Sequence, residues 1–316
     1  MVAAIDTNLA EAEAAARETG ARRASTRFED ALASDVDVVV ISTPNSFHRD
    51  HAVAALSAGK HVLLQKPMAR TAAECGAILE AQQRSGTVLG VYMNLLDHPL
   101  FGDLRRLVAE GRLGRIALYS ARLAHRGGLA WAGRESNWRA SRDATGGGSF
   151  MQLAVHYQHL MRWLLGAGVA QVEAFATNLA CPQLEGDDLM LAHYRLSNGA
   201  LGDIQTSWCA PEEHVSLLGT KGAIHYRENR WVEYAGEGGP FEGQVLRLRG
   251  DGSTETCECL SPEWDDAANP LNQHRRFFEA LTAGCPPDVT GAEAREDVRI
   301  VEACYASAAS GKAIEL

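Results

Sequence analysis

The sequence predicts an α/β protein in which a doubly wound parallel sheet precedes a second α/β domain with a large open, mostly antiparallel sheet. Over residues 1–96, short apolar strands alternate with helices, a pattern typical of parallel sheets. Over residues 170–260, short strands alternate with turn signals, and their single polar face fits an open sheet. We therefore expect two domains, residues 1–96 and residues 97–316.

The first domain has the spacing of repeated βα units. Apolar runs predict strands at residues 2–5, 36–43, 61–64 and 87–92. Helical patterns lie between them, and the last of these helices is predicted to begin with a capping box formed by Thr71 and Glu74. Strands separated by helices in this way run parallel in one sheet.

A lysine stands at the carboxyl end of the third predicted strand. Gly59 ends the preceding helix, and Pro67 stops the strand because proline has no N–H for a ladder. Lys66 is thus delivered to the edge where open α/β sheets bind ligands. The alternative is a solvated lysine at a strand end, and this stretch alone does not separate the two.

The predicted parallel sheet lacks one expected component. Asp6 follows the first apolar run and has the position of the acidic residue that binds the adenosine ribose in dinucleotide-binding sheets. No G-x-G-x-x-G motif precedes it, and no glycine before Thr87 opens a phosphate-binding loop. A missing first strand would leave about 9–10 Å between its neighbours. We therefore expect that roughly 25–30 native residues precede Met1.

The second domain is predicted to carry polar side chains on one helix. A long loop over residues 125–148 ends in three glycines, which allow close backbone approach. The next helix, at residues 149–165, carries Gln152 and His156 at i and i+4, so they share a face, and His159 lies near them. Packing or solvation would also account for two histidines here. The chain closes with two helices, at residues 270–283 and 290–310.

Composition limits the class of partner. The chain has 316 residues and a formal net charge of −10, which argues against nucleic acid or an anionic membrane as the main partner. Its seven cysteines are scattered without a C-x-x-C pair, so neither a metal site nor a disulfide framework is expected. No stretch resembles a signal peptide or a membrane span. We expect a cytoplasmic protein without a metal.

Six stretches carry a resemblance to a known family. They are Ala3-Ala4-Ile5-Asp6, residues 38–45 with His48, Ala58-Gly59-Lys60-His61-Val62-Leu63 running into Lys66-Pro67, Gly146-Gly147-Gly148, the His156 helix ending in Arg162-Trp163-Leu164-Leu165-Gly166, and the closing Ser307-Ala308-Ala309-Ser310-Gly311-Lys312. In this order and spacing they resemble the glucose–fructose oxidoreductase / inositol dehydrogenase family (Gfo/Idh/MocA). The resemblance implies a Rossmann-type domain followed by an α/β domain with an open antiparallel sheet. It also implies NAD(P)-dependent oxidation or reduction of a sugar, inositol or related polyol.

The resemblance implies roles for individual residues. Lys66 and His156 would be catalytic, with Gln152 beside them. The cofactor would be NAD rather than NADP, because Asp6 would repel a 2′-phosphate. The residues expected to contact the cofactor are Asp6, Thr7, Thr43, Pro44, Asn45, His48, Gln65, Lys66, Trp138 and Arg139. Those expected to contact the substrate are Lys66, Tyr92, Asn94, Arg139, His156 and His159, and Arg126 and Trp131 are further candidates for specificity.

Two positions depart from the family pattern. Gln65 stands where the family usually has Glu, and Gln152 stands where it usually has Asp. An Asp would stabilise the imidazolium of His156, and Lys66⁺ would stabilise a developing alkoxide. Both changes remove negative charge near Lys66, which would tend to lower its pKa.

Three functions are compatible with this pattern. The first is an NAD-dependent dehydrogenase or reductase acting on a sugar or polyol through Lys66 and His156. The second is NAD-assisted glycoside cleavage or elimination through a keto sugar. The third is a sugar- or partner-binding relative whose catalysis has decayed. We also expect a homodimer or homotetramer formed through the open sheet.

Overall fold

The chain folds into parallel βα units followed by an eight-stranded sheet that carries helices on one face. A computed structural model describes residues 1–97, 99–128, 137–209, 211–227, 231–235, 247–248, 254–255 and 270–316. Within these ranges no helix combines the length and the apolar character that crossing a membrane would require.

The first domain contains short parallel strands with helices between them. Its elements are β1 (Ala3–Ile5), α1 (Leu9–Thr19), β2 (Arg23–Ser25), a 3₁₀ helix (Phe28–Leu32), β3 (Val38–Ile41), α2 (Asn45–Ser57), β4 (His61–Leu64), α3 (Ala72–Ser85) and β5 (Leu89–Val91). Leu64 of β4 pairs with Ile41 of β3 and with Val91 of β5. The chain therefore leaves the ends of β3 and β4 at one edge, and Thr43 and Lys66 each follow two residues later.

These strands do not form one continuous sheet. β1 pairs with β2, while β3, β4 and β5 form a separate parallel sheet. No ladder among the described strands joins β1 to β3, so the interruption predicted in the parallel sheet is observed. The expectation that further residues precede Met1 stays a prediction. The short strand β2 was not expected, because Arg23-Ala24-Ser25 has no apolar run to indicate it.

The capping box predicted at α3 is only half formed. Thr71 caps the helix as expected, because its Oγ1 accepts the Glu74 N–H at 3.1 Å. The Glu74 carboxylate does not return to Thr71. It accepts the main-chain N–H of Arg70 at 3.1 Å and pairs with the Arg70 guanidinium. The guanidinium of Arg70 thus replaces the main-chain N–H of Thr71 as the partner of the Glu74 carboxylate, because charge-assisted hydrogen bonds are the stronger kind.

The second domain is built on a mixed sheet. Its elements are a 3₁₀ helix (Asn94–Asp97), α4 (Pro99–Ala109), β6 (Ile116–Ala124), a 3₁₀ helix (Trp138–Ala140), α5 (Arg142–Thr145), a π-helix (Phe150–Ala154), α6 (Val155–Leu165), β7 (Val169–Thr177), β8 (Leu189–Leu196), β9 (Leu201–Ser207), β10 (Glu212–Gly219), β11 (Ala223–Arg227), β12 (Trp231–Ala235), β13 (Arg247–Leu248), β14 (Thr254–Glu255), α7 (Pro270–Ala283), α8 (Gly291–Ser310) and β15 (Ile314–Glu315). Eight strands lie in the order β12-β11-β10-β6-β9-β8-β7-β15, and all neighbours are antiparallel except β6 and β9.

The helix predicted at residues 149–165 is observed, but it begins as a π-helix before continuing as α6. Its apolar side packs on the large sheet, with Tyr157 and Leu160 almost fully buried. Tyr119 of β6 donates its hydroxyl to the Tyr157 carbonyl at 3.0 Å. Burying side chains of this size contributes about 1.5–3 kcal/mol each. The helix that carries Gln152 and His156 is therefore fixed firmly to the sheet.

Candidate active site

Lys66 is the point at which the two predicted halves of the site meet. Its Nζ donates to the main-chain carbonyl of Gln152 at 2.9 Å, while its own main-chain N–H donates to Gln65 Oε1 at 2.9 Å. Burial disfavours the charged ammonium, and the nearby Arg139 repels it, so that the pKa of Lys66 is lowered from 10.5 to about 8. The peptide bond from Lys66 to Pro67 is cis.

Gln152 and His156 lie on the helix that Lys66 touches. Gln152 is 7% exposed, and neither its Nε2 nor the Nδ1 of His156 has a hydrogen-bond partner in the described structure. The pKa of His156 is well below its usual value because burial, Lys66⁺ and His159 all disfavour the imidazolium. His156 is therefore a neutral base at physiological pH, next to a partly ionised lysine.

A buried carboxylate holds the beginning of this helix. Asp187 accepts the N–H of Gly148 at 3.0 Å, the N–H of Phe150 at 2.9 Å and the hydroxyl of Ser149 at 2.8 Å. Tyr305 of α8 donates to Asp187 at 2.7 Å and accepts the Gly148 N–H at 3.1 Å. Amides at a helix N-terminus need such acceptors. Asp187 and Tyr305 thus position the turn that presents Gln152 to Lys66, and the sequence analysis did not identify either of them.

The three glycines make this close packing possible, as the sequence predicts. A Cβ on Gly148 would lie 2.1 Å from the carbonyl oxygen of Asp187, and one on Gly147 would lie 2.3 Å from the Tyr305 hydroxyl. Neither separation is compatible with any residue that carries a side chain.

His159, an expected substrate contact, is paired with a buried carboxylate. It is 4% exposed, and its Nδ1 lies 2.7 Å from the buried carboxylate of Asp297 in α8. Arg162 donates to the same carboxylate at 2.5 Å. The two side chains and Asp297 tie α6 to α8. His159 also disfavours the imidazolium of His156, and its contact with the substrate stays a prediction.

Several expected cofactor contacts directly follow the ends of β1 and β3. The Asp6 carboxylate is exposed at the end of β1, where it accepts the Asn8 N–H at 2.8 Å, and Thr7 beside it is also exposed. Thr43 follows β3 and is partly buried, with its Oγ1 3.4 Å from His51. Pro44 is the N-cap residue of α2.

His48 and Asn45 are two further expected cofactor contacts, and both side chains are buried. His48 is fully buried, with its ring nitrogens 2.9 Å from the carbonyls of Thr43 and Pro67. His48 thus links the chain segments after β3 and β4, and its contact with the cofactor stays a prediction. Asn45 is 2% exposed and donates to the Thr145 carbonyl at 2.9 Å, which joins α2 to α5.

The remaining specificity candidates surround the site less closely. Tyr92 is partly buried, its ring 5.9 Å from that of His274, and burial raises its pKa. Arg139 is exposed and lies over the ring of Trp138 at 4.4 Å. Asn94 and Arg126 are exposed. Trp131 lies outside the described residues.

A further residue near Lys66, His125, was missed from the sequence. Burial and the charge of Lys66 lower the pKa of His125. Its Nδ1 accepts the Gly127 N–H at 2.9 Å, and its ring packs edge-to-face on Trp208 with 4.7 Å between ring centroids. The sequence feature that could have identified His125 is its position directly after the predicted strand of residues 116–124, because ligand sites often lie at strand ends.

Comparison with known proteins agrees with this arrangement. Residues 1–93 match the profile described as an oxidoreductase family with an NAD-binding Rossmann fold, and residues 101–225 match the GFO/IDH/MocA C-terminal domain. The chain is 28% identical over 227 residues to 1,5-anhydro-D-fructose reductase from Ensifer adhaerens, covering 71% of this chain and 67% of the relative. It is 24% identical over 303 residues to scyllo-inositol 2-dehydrogenase (NADP(+)) IolW from Bacillus subtilis (strain 168), covering 89% and 79%.

A solved structure of levoglucosan dehydrogenase in complex with NADH shares the fold. Its TM-score is 0.88 at 22% identity, over 99% of this chain and 90% of that chain. The fold and the matching domains define an NAD(P)-dependent α/β oxidoreductase. The chain belongs to the Gfo/Idh/MocA family, and its relatives are named as sugar and inositol dehydrogenases and reductases.

Proposed function

We propose that this protein transfers a hydride between nicotinamide and a secondary hydroxyl or ketone of a sugar, inositol or related polyol, using Lys66 and His156. The observation that carries the proposal is the hydrogen bond of 2.9 Å from Lys66 Nζ to the Gln152 carbonyl. It brings the lysine at the parallel-sheet edge to the helix that carries His156. A cationic donor next to a neutral base is the arrangement that alcohol oxidation requires.

The chain's own groups would handle the proton and the developing charge. When bound, NAD supplies the hydride acceptor for oxidation, and NADH supplies the donor for reduction. Lys66⁺ stabilises negative charge on the substrate oxygen. Neutral His156 takes the hydroxyl proton in the oxidation direction. Because its Nδ1 is buried, the proton is exchanged at Nε2.

We further propose that NAD is preferred over NADP. This preference for NAD rests on Asp6 at the end of β1. Its exposed carboxylate could accept hydrogen bonds from the ribose hydroxyls of NAD and would repel the 2′-phosphate of NADP. Asp6→Asn should therefore weaken NADH binding and improve NADPH binding, so that the ratio of the two Kd values moves about tenfold or more toward NADPH. Fluorescence titration with both cofactors measures the ratio. An unchanged ratio would contradict this assignment.

Replacing the lysine tests the catalytic proposal. We expect Lys66→Met to lower kcat by about 10²–10³-fold with NADH binding retained, since one preorganised charged donor is lost. Lys60→Met is the matched control, because Lys60 Nζ donates to the carbonyls of Ala33 at 2.9 Å and Val36 at 2.7 Å, away from the site. NAD reduction in a screen of sugars and inositols provides the assay.

Other outcomes of the same assay favour the two alternative functions. Product formation without net NADH would favour NAD-assisted glycoside cleavage or elimination. Sugar binding without turnover in both the parent protein and Lys66→Met would favour a binding protein. Unchanged turnover in Lys66→Met would show that the proposed mechanism is wrong.

We also propose that the open sheet mediates a homodimer or homotetramer. The support is its outer face, where Phe175 of β7 is 62% exposed, Leu201 of β9 is 48% exposed and Leu218 of β10 is 37% exposed. Apolar side chains spread over one sheet face are typical of surfaces that a partner covers.

A further inference from the structure

Helix α7 is cross-linked to the segment that leads from β5 to the second domain. Gln273 of α7 accepts the main-chain N–H of Met93 at 2.8 Å through Oε1 and donates to the main-chain carbonyl of Met93 at 2.7 Å through Nε2. Gln273 is 5% exposed and Met93 is 2% exposed. A buried side chain thus gives both of its hydrogen-bonding groups to one residue 180 positions away.

The Gln273 side chain takes the place of a strand partner at the outer edge of β5, which is the last strand of its parallel sheet. On the inner side, Tyr92 donates its main-chain N–H to β4 at 2.8 Å, and on the outer side Val91 donates to the carbonyl of Val289 at 3.0 Å. Alternate residues of an extended chain direct their main-chain groups to the same side. Met93 therefore faces outward like Val91, and Gln273 supplies the donor and the acceptor there.

The same two bonds determine where Tyr92 lies. Tyr92 directly follows β5, and Lys66 follows the neighbouring parallel strand β4, so both leave the sheet at one edge. Met93 is buried, whereas Tyr92 is partly buried and Asn94 is exposed, so the side chains on either side of Met93 are directed away from the core. Gln273 binds the two peptide groups that join Tyr92 to Asn94, and it therefore controls how these residues are placed relative to Lys66.

A second cross-link holds the far end of this segment. Arg276 of α7 pairs with Asp97, whose side chain is 1% exposed. The same guanidinium pairs with Asp288 at 2.5 Å. Gln273 and Arg276 are i and i+3 on the helix, so one face of α7 fixes both ends of the segment.

We propose that Gln273 is a positioning residue for the substrate, which fixes the main chain of Met93 so that Tyr92 and Asn94 contact the substrate next to Lys66. This inference rests on the proposed hydride-transfer function and on the expected substrate contacts of Tyr92 and Asn94. Gln273 binds main-chain atoms and acts through its neighbours. A merely structural role would change the stability of the fold and leave substrate recognition unchanged.

Removing the amide tests the proposal. We expect Gln273→Met to lower kcat/KM about tenfold or more, mainly through KM, because the residues that flank Met93 lose their fixed position. The Kd of NADH should stay within about twofold, because Asp6 and Thr43 follow strands that do not pair with β5 in the described sheets. The assay is NAD reduction with D-glucose, D-galactose, D-xylose and myo-inositol, at a temperature at which urea unfolding shows both proteins to be folded.

Gln171→Met is the matched control. Gln171 also donates through Nε2, to Glu315 at 2.6 Å, but it lies on β7 next to the edge strand of the large sheet. This variant should leave KM unchanged. A lower stability of Gln273→Met with an unchanged KM would overturn the inference, and so would an equal rise of KM in both variants.

Gln273→Glu gives a readout that a structural role alone would not move. A protonated carboxyl accepts the Met93 N–H and donates to the Met93 carbonyl, as the amide does, whereas the ionised carboxylate only accepts. Because burial raises the pKa of a carboxyl, the KM of this variant relative to the parent should fall at least about threefold between about pH 7.5 and about pH 5.5. The ratio for Gln273→Met should not change over this range.

A ratio that does not depend on pH in Gln273→Glu would contradict the inference. The same variant keeps the inference testable if Gln273→Met does not fold.

A binding measurement distinguishes failure of the inference from failure of the proposed function. Calorimetric titration of the same four compounds into the NADH complex reports binding without turnover. Binding without oxidation in the parent, weakened in Gln273→Met, would support the inference and contradict the dehydrogenase function. Oxidation with the same KM in the parent and in Gln273→Met would support the function and overturn the inference. A parent protein that neither binds nor oxidises any of the four compounds would contradict both.

Discussion

Lys66 differs from a surface lysine in the pH range over which it carries charge. Burial and the neighbouring Arg139 bring its pKa to about 8, so the ammonium predominates at neutral pH but is lost within the range of ordinary enzyme assays. The pKa of His156 moves in the same direction and lies well below its usual value. Of the two groups, Lys66 is therefore the one whose charge changes near the working pH.

This difference predicts the shape of the pH profile. The ammonium form of Lys66 is present below about pH 8 and is lost as the pH rises through that value. Oxidation of the substrate hydroxyl by NAD should therefore fall about tenfold per pH unit above the inflection. No inflection is expected near pH 6.5, because His156 is already neutral there.

The conservative variant checks the assignment of this inflection. In Lys66→Arg the positive charge persists to high pH, so the alkaline limb should disappear from the accessible range even if the rate is low. Stopped-flow measurements of NADH formation between pH 6 and pH 10 would show it. A limb that stays near pH 8 in Lys66→Arg would mean that another group titrates.

At the scale of single elements, the helix bearing Gln152 and His156 depends on its first turn. The turn begins as a π-helix, a form that occurs frequently at functional sites, and its amides are bound by Asp187 and Tyr305. A small displacement here would move the Gln152 carbonyl away from Lys66. Misplacement of a catalytic group by about 1 Å can cost about 100-fold in rate.

Gly148→Ala should show this dependence. The added Cβ would lie 2.3 Å from the Asp187 nitrogen, so the backbone must shift, at a cost of about 1–3 kcal/mol of unfolding free energy and a marked loss of kcat. Gly76→Ala in α3 is the control, because no atom lies within 4 Å of its Cβ position. That variant should gain about 0.5–1 kcal/mol with unchanged kcat. Urea unfolding and steady-state kinetics measure both effects, and similar behaviour of the two variants would refute the packing argument.

The elements also show where sequence-based prediction succeeds and where it stops. Residues 61–64 and 116–124 form the predicted strands because their apolar patterns are local properties of the chain. The hydrogen bonds of His48 to Pro67 and of His159 to Asp297 could not be predicted, because these partners lie 19 and 138 positions away in the sequence. The Asp187 interaction was missed for the same reason, since its partners at residues 148–150 lie nearly forty positions away.

At the scale of the whole molecule, hydrogen bonds connect the two predicted domains around the site. Lys66 reaches the main chain of Gln152, Asn45 reaches that of Thr145, and Gln273 of α7 pairs with both main-chain groups of Met93. The site therefore exists only when both parts of the chain are folded together. The division of the chain at residues 96 and 97 stays a prediction.

The proposed assembly through the open sheet is testable by charge substitution. Phe175→Glu should lower the molar mass in solution toward that of the single chain, because the exposed ring on β7 would be replaced by a carboxylate in the interface. Phe278→Glu is the matched control, since Phe278 is 45% exposed on α7, away from the sheet. Light scattering coupled to size-exclusion chromatography gives the mass. A single-chain mass in the parent protein, or an equal effect of both variants, would contradict the proposal.

The bond from Lys66 to the Gln152 carbonyl has a consequence for how this enzyme can change over evolutionary time. The lysine is held by a main-chain atom that every amino acid possesses, so the side chain at position 152 can be exchanged without releasing the lysine. Position 152 can therefore drift between acidic and neutral residues while the scaffold stays intact. For directed evolution, this makes position 152 a natural place to begin a search for altered substrate preference.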